Sequence, residues 1–192
     1  MTEDSREKLI DSGLRLLHGR GFNASGVQDI TADAGVPKGS FYHYFASKEA
    51  FALEVLERYW QGLRMHLKSL RGSSVAPDER LRRYFALMAE AIARGKFEKG
   101  CMIGNFGAEL SDQSPTIRER LAIMMAEWTR AIESCVREAQ DLGTLRSGLD
   151  PKAVAGFLAN SWEGAILRSK IDKSTAAFDH FSNVVFAVAF NS

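Results

Sequence analysis

Residues 36–48 read VPKGSFYHYFASK, with five large rings in succession from Phe41 to Phe45. Aromatic runs ordinarily build core, yet this one follows Lys38-Gly39-Ser40 and mixes apolar rings with polar-tipped ones. On a helix, at about 100° per residue, the rings divide by direction. Phe41 and Phe45 share one face; Gly39, Ser40 and His43 share the opposite one. Tyr42 and Tyr44 lie on the flanks, where a ring leans on apolar neighbours while its hydroxyl reaches outward. Expected packing partners for the two phenylalanines are Leu14, Leu17, Val27 and Ile30. Such a helix suits a DNA major groove. Small residues at its start permit close approach, and hydroxyl, imidazole and ammonium groups donate to phosphates and base edges. The competing reading is a small helical subdomain with aromatic filler.

Outward from this stretch, apolar residues recur at spacings of three and four, and only 4 prolines interrupt them, so the chain reads as all-α. Asp4-Ser5-Arg6-Glu7 offers a capping box for a helix with Leu9, Ile10, Leu14, Leu16 and Leu17 on its buried side, ending at Gly19 to Gly21. Ser25-Gly26-Val27-Gln28 offers a second box, for a helix with Val27, Ile30 and Ala34 inward and a stop at Gly35. With residues 38–45 these make the three-helix layout of a helix-turn-helix unit. Ser47 caps a long helix to about Leu70, with Phe51, Val55, Leu56, Tyr59, Leu63 and Leu67 at helical spacing. Arg71 to Pro77 is a loop. Further helices are expected at about 78–94, 115–142, 151–172 and 174–189, two of them announced by Ser114-Pro115 and Asp150-Pro151. The Gly-rich stretch from Gly95 to Gly107 shows no clear period.

At 192 residues, 45% hydrophobic and 26% charged, the chain has the composition of a soluble globular protein with a real core. Its net charge of +1 gives no general electrostatic argument for nucleic acid. Residues 1–50 hold six basic groups (Arg6, Lys8, Arg15, Arg20, Lys38, Lys48) against seven acidic ones (Glu3, Asp4, Glu7, Asp11, Asp29, Asp33, Glu49). DNA binding must therefore rest on placement of charge. The charged start MTEDSREKLI lacks the apolar stretch of a signal peptide, and VVFAVAF at 184–190 is too short to span a bilayer, so a cytoplasmic protein with no membrane partner is expected. Cys101 and Cys135 form neither a disulfide framework nor a metal spacing. No catalytic residue, metal site or cofactor is expected.

Residues 21–51, GFNASGVQDITADAGVPKGSFYHYFASKEAF, resemble the N-terminal DNA-binding domain of the tetracycline-repressor (TetR) family of bacterial regulators. The resemblance covers about residues 5–56, with Gly21-Phe22, Ala34-Gly35-Val36, Lys38-Gly39-Ser40, Tyr42-His43-Tyr44-Phe45 and Ser47-Lys48-Glu49-Ala50 in register. It implies an all-α protein of about nine helices. Residues 1–48 would form the helix-turn-helix DNA-binding domain, and residues 49–192 a helical ligand-sensing and dimerisation domain. It further implies a homodimeric repressor on a palindromic double-stranded operator, removed by a small-molecule inducer. Carried over by position, Gln28, Lys38, Gly39, Ser40, Tyr42, His43, Tyr44 and Lys48 are the DNA-contact candidates. Gly26, where the family often has Ser or Thr, and Pro37, where it has serine, depart from the pattern. A cap formed with Ser25 would engage Gln28.

In the second half, Val154, Phe157, Leu158, Trp162, Ala165 and Ile166 mark one apolar face, and Phe178, Phe181, Val184, Val185, Val188 and Phe190 another. Two such helices meeting their symmetry mates, with Gly156 and Gly164 allowing close approach, would form a dimer interface. A single large core is the alternative. Phe85, Met88, Phe97, Met102, Phe106, Met124, Met125, Trp128 and Trp162 could line a pocket or be plain core. Asn105, Glu109, Asn160 and Glu163 are polar residues beside those faces. Cys101, near Lys96 and Lys99 and flanked by Gly100 and Gly104, is either a buried small hydrophobe or an open, reactive thiol. The segments GCMIGNFGAELSD and WEGAILRSKI resemble the sensor half of the N-ethylmaleimide reductase repressor branch. That resemblance implies an electrophile inducer, with its cysteine at Cys101 and a lysine at Lys170. Two other readings remain: a small helical enzyme with Cys101 as nucleophile, for which His66 offers no recognisable pairing, and an interaction module that has lost DNA binding.

Overall fold

The computed structural model describes residues 3–72, 74–145 and 148–188, the side chains of Glu3 and Val188 excepted. Among the described residues nine α-helices follow one another: α1 (Glu3–Arg20), α2 (Val27–Ala34), α3 (Lys38–Tyr44), α4 (Lys48–Leu67), α5 (Pro77–Arg94), α6 (Met102–Leu110), α7 (Pro115–Asp141), α8 (Pro151–Asp172) and α9 (Ala176–Val188). The all-α expectation holds, and a short 3-10 turn at Lys68–Leu70 extends α4.

Three local readings are corrected. Asp4 lies inside α1, where its carboxylate accepts from Lys8 one turn on at 2.7 Å, so it is no cap. The cap of α2 is Gly26, whose N–H donates to the Asp29 carboxylate at 2.8 Å, while the Ser25 hydroxyl turns back to the Gly21 carbonyl at 2.8 Å. Gln28 is thereby left exposed and unused by the cap. Finally, the Gly-rich stretch contains α6. Its buried Met102, Ile103, Phe106 and Leu110 keep helical spacing, and Gly104 and Gly107 fall outside that stripe. The other boundaries follow the expected chemistry: Ser47 Oγ accepts from the Ala50 N–H at 3.0 Å, and the Asp150 carboxylate accepts from Lys152 and Ala153 at 3.3 and 3.2 Å.

Two compact units result, and neither is continuous in sequence. The first comprises Met1–Gly62 and Cys101–Leu121. Its centre is the ring triad Phe41, Phe45 and Phe51, with centroids 4.9 to 5.3 Å apart and every ring at most 2% exposed. Leu9, Leu17, Ile30, Val55 and Leu56 complete it, all fully buried. Burying each such side chain contributes about 1.5–3 kcal/mol. Polar ties fix α2 on α1: Ser12 Oγ donates to the Ile30 carbonyl at 2.9 Å, and Arg15 pairs with Asp33 at 2.7 Å. Hydrogen bonds from Ser12 and Arg15 hold the Asp33 carboxyl below its ordinary pKa.

The second unit comprises Leu63–Gly100 and Ala122–Ser192. Phe85, Trp162, Phe178 and Phe181 interlock there, with centroids 4.8 to 5.0 Å apart. Arg80, only 3% exposed, donates to the Leu70 carbonyl at 3.0 Å and meets Glu138 at 2.5 Å. Cys135 is fully buried and its thiol donates to the Pro77 carbonyl at 3.2 Å. On α8, Phe157, Leu167 and Ile171 are 62 to 67% exposed, and on α9 Val184 is 60% exposed. Phe190 of the expected α9 stripe, and the side chain of Val188, lie outside the described residues.

Candidate nucleic-acid interface and sensor residues

Gly35 builds the turn that presents α3. It ends α2 in the left-handed conformation at φ 67°, and its N–H closes onto the Ala32 carbonyl at 3.2 Å. That backbone suits glycine and strains other residues. Pro37 then opens α3 as its N-cap, and its carbonyl accepts from the Ser40 N–H at 2.9 Å. The helix is divided as its sequence requires. Phe41 and Phe45 are buried, whereas Lys38, Gly39, Tyr42 and His43 are exposed, Tyr42 by 58%. Ser40 and Tyr44 are half-buried, and the Tyr44 ring meets His43 edge-on at 5.0 Å.

Gly39 has a further property. A Cβ there would meet nothing within 4 Å, and its φ is not positive, so neither packing nor backbone requires glycine. A helical glycine costs about 0.5–1 kcal/mol relative to alanine, and a face that must admit another backbone closely is a physical reason to bear that cost. The side chains of Gln28, Lys38, Tyr42 and His43 thus offer amide, ammonium, hydroxyl and imidazole groups to solvent from α2 and α3.

Lys48 differs from the rest. Its ammonium donates to the Phe22 carbonyl at 2.6 Å and sits over the Phe22 ring at 4.1 Å. Partial burial lowers its pKa, while the nearby Glu109 and Asp29 carboxylates oppose that shift.

The sensor candidates divide between the units. In the first, Cys101 is the N-cap of α6 and is 8% exposed, so of its two expected surroundings it takes the buried one, at a helix start. Its sulfur lies 4.0 Å from the Tyr59 hydroxyl, a neighbour that sequence reading missed, and the Tyr59 ring is 4.9 Å from that of His18. Asn105, half-buried one turn on, donates its N–H to the Cys101 carbonyl at 2.9 Å. In the second unit, Trp162 belongs to the ring core. Trp128 is 6% exposed, and its indole N–H has no hydrogen-bond partner among the described residues. The Lys170 ammonium donates to the Lys99 carbonyl at 3.5 Å, and that of Lys173 to the Phe97 carbonyl at 3.0 Å. They hold a turn in which Lys96 and Phe97 adopt φ of 53° and 57°, a conformation that costs side-chain-bearing residues free energy. A cleft of about 190 Å³ opens between α5 and α9, lined by Arg82, Ser182, Asn183, Phe186 and Ala187, and it includes none of the expected sensor residues. Among the described residues no helix is long and apolar enough to cross a membrane.

Comparison with known proteins agrees with this geometry. Residues 9–55 match the family model described as bacterial regulatory proteins, tetR family, and residues 77–185 match the tetracyclin repressor-like C-terminal domain. The HTH-type transcriptional repressor DhaR of Mycobacterium sp. (strain GP1) is 42% identical over 182 residues, covering 94% of this chain and 90% of its own. The crystal structure of regulatory protein TetR from Rhodobacter sphaeroides superposes with a TM-score of 0.88 at 36% identity, over 93% of this chain and 95% of that one. The HTH-type transcriptional repressor NemR of Escherichia coli is 31% identical over 95% of this chain and 94% of its own. Its reduced-form crystal structure has a TM-score of 0.84, over 97% of this chain and 98% of that one.

Proposed function

The chain belongs to the TetR family of bacterial DNA-binding transcriptional regulators, and from that premise we propose that it is a cytoplasmic homodimeric repressor, released from a palindromic operator by a small-molecule or electrophilic inducer. DNA reading falls to residues 1–48, and sensing with dimerisation to residues 49–192. The observation that carries the reading is the two-sided α3. Its phenylalanines are fully committed to the core, and its lysine, glycine, tyrosine and histidine are left outside. Gln28, Lys38, Gly39, Ser40, Tyr42, His43 and Tyr44 contact the duplex. The spare donors of Lys48 reach a phosphate. Tyr42→Ala and His43→Ala each lower affinity by about 1–3 kcal/mol for a duplex that the wild-type protein selects from a random pool, with unchanged melting. Unchanged binding by both variants in a salt-controlled titration would remove the assignment.

The exposed apolar side chains of α8 and α9 support a partner surface of their own kind, with one protomer's Phe157, Leu167, Ile171 and Val184 set against its partner's. Two heads joined in this way must fit half-sites about 34 Å, or a multiple, apart. An inducer that favours another geometry therefore weakens DNA binding, and DNA weakens inducer binding equally. Two observations bear on the inducer. The buried indole N–H of Trp128 favours a ligand carrying a hydrogen-bond acceptor. Cys101 caps α6 beside Tyr59, where adduct formation would displace a helix end, and NemR, whose structure is described as a reduced form, is a relative. Release of the selected duplex by N-ethylmaleimide, lost in Cys101→Ser, supports covalent sensing there. An equal response of the serine variant assigns the inducer to non-covalent binding. The chain is not an enzyme on this reading, so modification is stoichiometric.

A further inference from the structure

The corner between α1 and α2 is held by a residue far away in sequence. Gly21 turns the chain at φ 89°, and the next two N–H groups, of Phe22 and Asn23, both donate to the Glu109 carboxylate on α6, at 3.2 and 2.8 Å. Successive backbone N–H groups converging on one anion are a strong, directional grip. The fit is close: a Cβ on Gly21 would lie 2.1 Å from Glu109 Oε1. The carbonyl of the same Phe22 is taken by the Lys48 ammonium at 2.6 Å, and the Phe22 ring packs edge-on against Phe106 of α6 at 6.3 Å. Residue 22 is thus gripped at its N–H, its carbonyl and its ring. Five residues later α2 begins, carrying Gln28 and packing on α3.

We propose that Glu109 is a positioning residue for DNA reading: through it α6 sets the corner from which α2 and α3 are aimed, without touching DNA itself. The inference rests on the DNA-binding reading of α2 and α3. Glutamate is specifically suited to this place. It accepts at both oxygens, whereas glutamine of the same shape would turn an amide N–H₂ toward one of the two backbone donors. The same carboxylate favours the charged form of the partly buried Lys48. At its other end α6 is tethered by the Tyr59 hydroxyl, which accepts from the Met102 N–H at 3.4 Å. A displacement of α6 along its nine residues therefore withdraws the carboxylate from the corner and removes a counter-charge from Lys48 together.

The test compares wild type, Glu109→Gln and a control, Ile132→Val, which trims a fully buried side chain of α7. Two quantities are measured: amide hydrogen exchange at Phe22 and Asn23, and the salt dependence of affinity for the duplex selected by the wild-type protein. In Glu109→Gln, exchange at both amides quickens about tenfold and Kd rises about tenfold, with the slope of log Kd against log salt unchanged because no phosphate contact is lost. Ile132→Val lowers the melting temperature and moves neither quantity. Quickened exchange with wild-type Kd overturns the proposal, as does unchanged exchange, or a salt slope reduced by about one, which would place the loss at a phosphate. Should the wild-type protein enrich no duplex, the DNA-binding reading fails first and this inference with it.

Discussion

Gly21→Ala places two separate costs on one position, and a double-mutant cycle can part them. The first is backbone strain: at φ 89° an L side chain is held in a left-handed conformation, at a cost of about 1–2 kcal/mol. The second is steric. The new Cβ would overlap Glu109 Oε1 at 2.1 Å, so the carboxylate must withdraw and lose at least one charge-assisted hydrogen bond, about 1.5–3 kcal/mol. Together the loss is about 2.5–5 kcal/mol, which for a chain of this size lowers the melting temperature by about 5–20 °C. In a Glu109→Ala background only the strain remains, so the same substitution costs about 1–2 kcal/mol there. Reversible urea unfolding at one fixed protein concentration reads all four corners of the cycle. Equal costs of Gly21→Ala in the two backgrounds would refute the claimed contact between Gly21 and the carboxylate.

Gly39→Ala should do the reverse of Gly21→Ala: stability rises by about 0.5–1 kcal/mol, since the Cβ meets nothing, while affinity for the selected duplex falls. Urea melts and binding titrations check the two directions. Lys38→Gln should weaken binding for every sequence alike and reduce the salt slope by about one, read from titrations at several salt concentrations. Burial raises the Cys135 thiol from 9.0 to about 11, so the folded state keeps a proton that the unfolded chain releases. Its stabilising contribution is complete below pH 9 and is lost as pH rises toward about 11; Cys135→Ala should flatten that fall in urea midpoint. Phe157→Glu, at a position 62% exposed, should leave each protomer folded and shift sedimentation toward monomer at micromolar concentration.

The parts legible in the sequence were those decided by local periodicity or by proline and cap chemistry. The division of α3 followed from angle alone, and α7 and α8 began at the prolines that announced them. The starts of α1 and α2 were misread because Ser, Asp and Gly lie close together there, and which side chain caps is settled by where the chain comes from. Helix α6 was obscured by two glycines, although Met102, Ile103, Phe106 and Leu110 carried its period. Glu109 stood out only as a polar residue beside an apolar face. Its contact with residues 22 and 23 spans more than eighty positions, and no local pattern encodes such a pairing. For Cys101 the local sequence left a buried and an open reading, and the buried one holds, with Tyr59 brought beside the thiol from a distant helix.

The discontinuity of the first unit also has a consequence for synthesis. Residues 1–62 leave the ribosome well before 101–121, and the chain between them belongs to the other unit. The emerging head can form its helices and its ring triad early, but it lacks α6, and hence the bond that fixes its corner, until a loop of nearly forty residues has closed. A nascent or truncated chain would then carry the proposed DNA contacts of α2 and α3 on a head whose corner is not yet set. On the proposed role of Glu109, DNA reading is thereby deferred until most of the regulator exists.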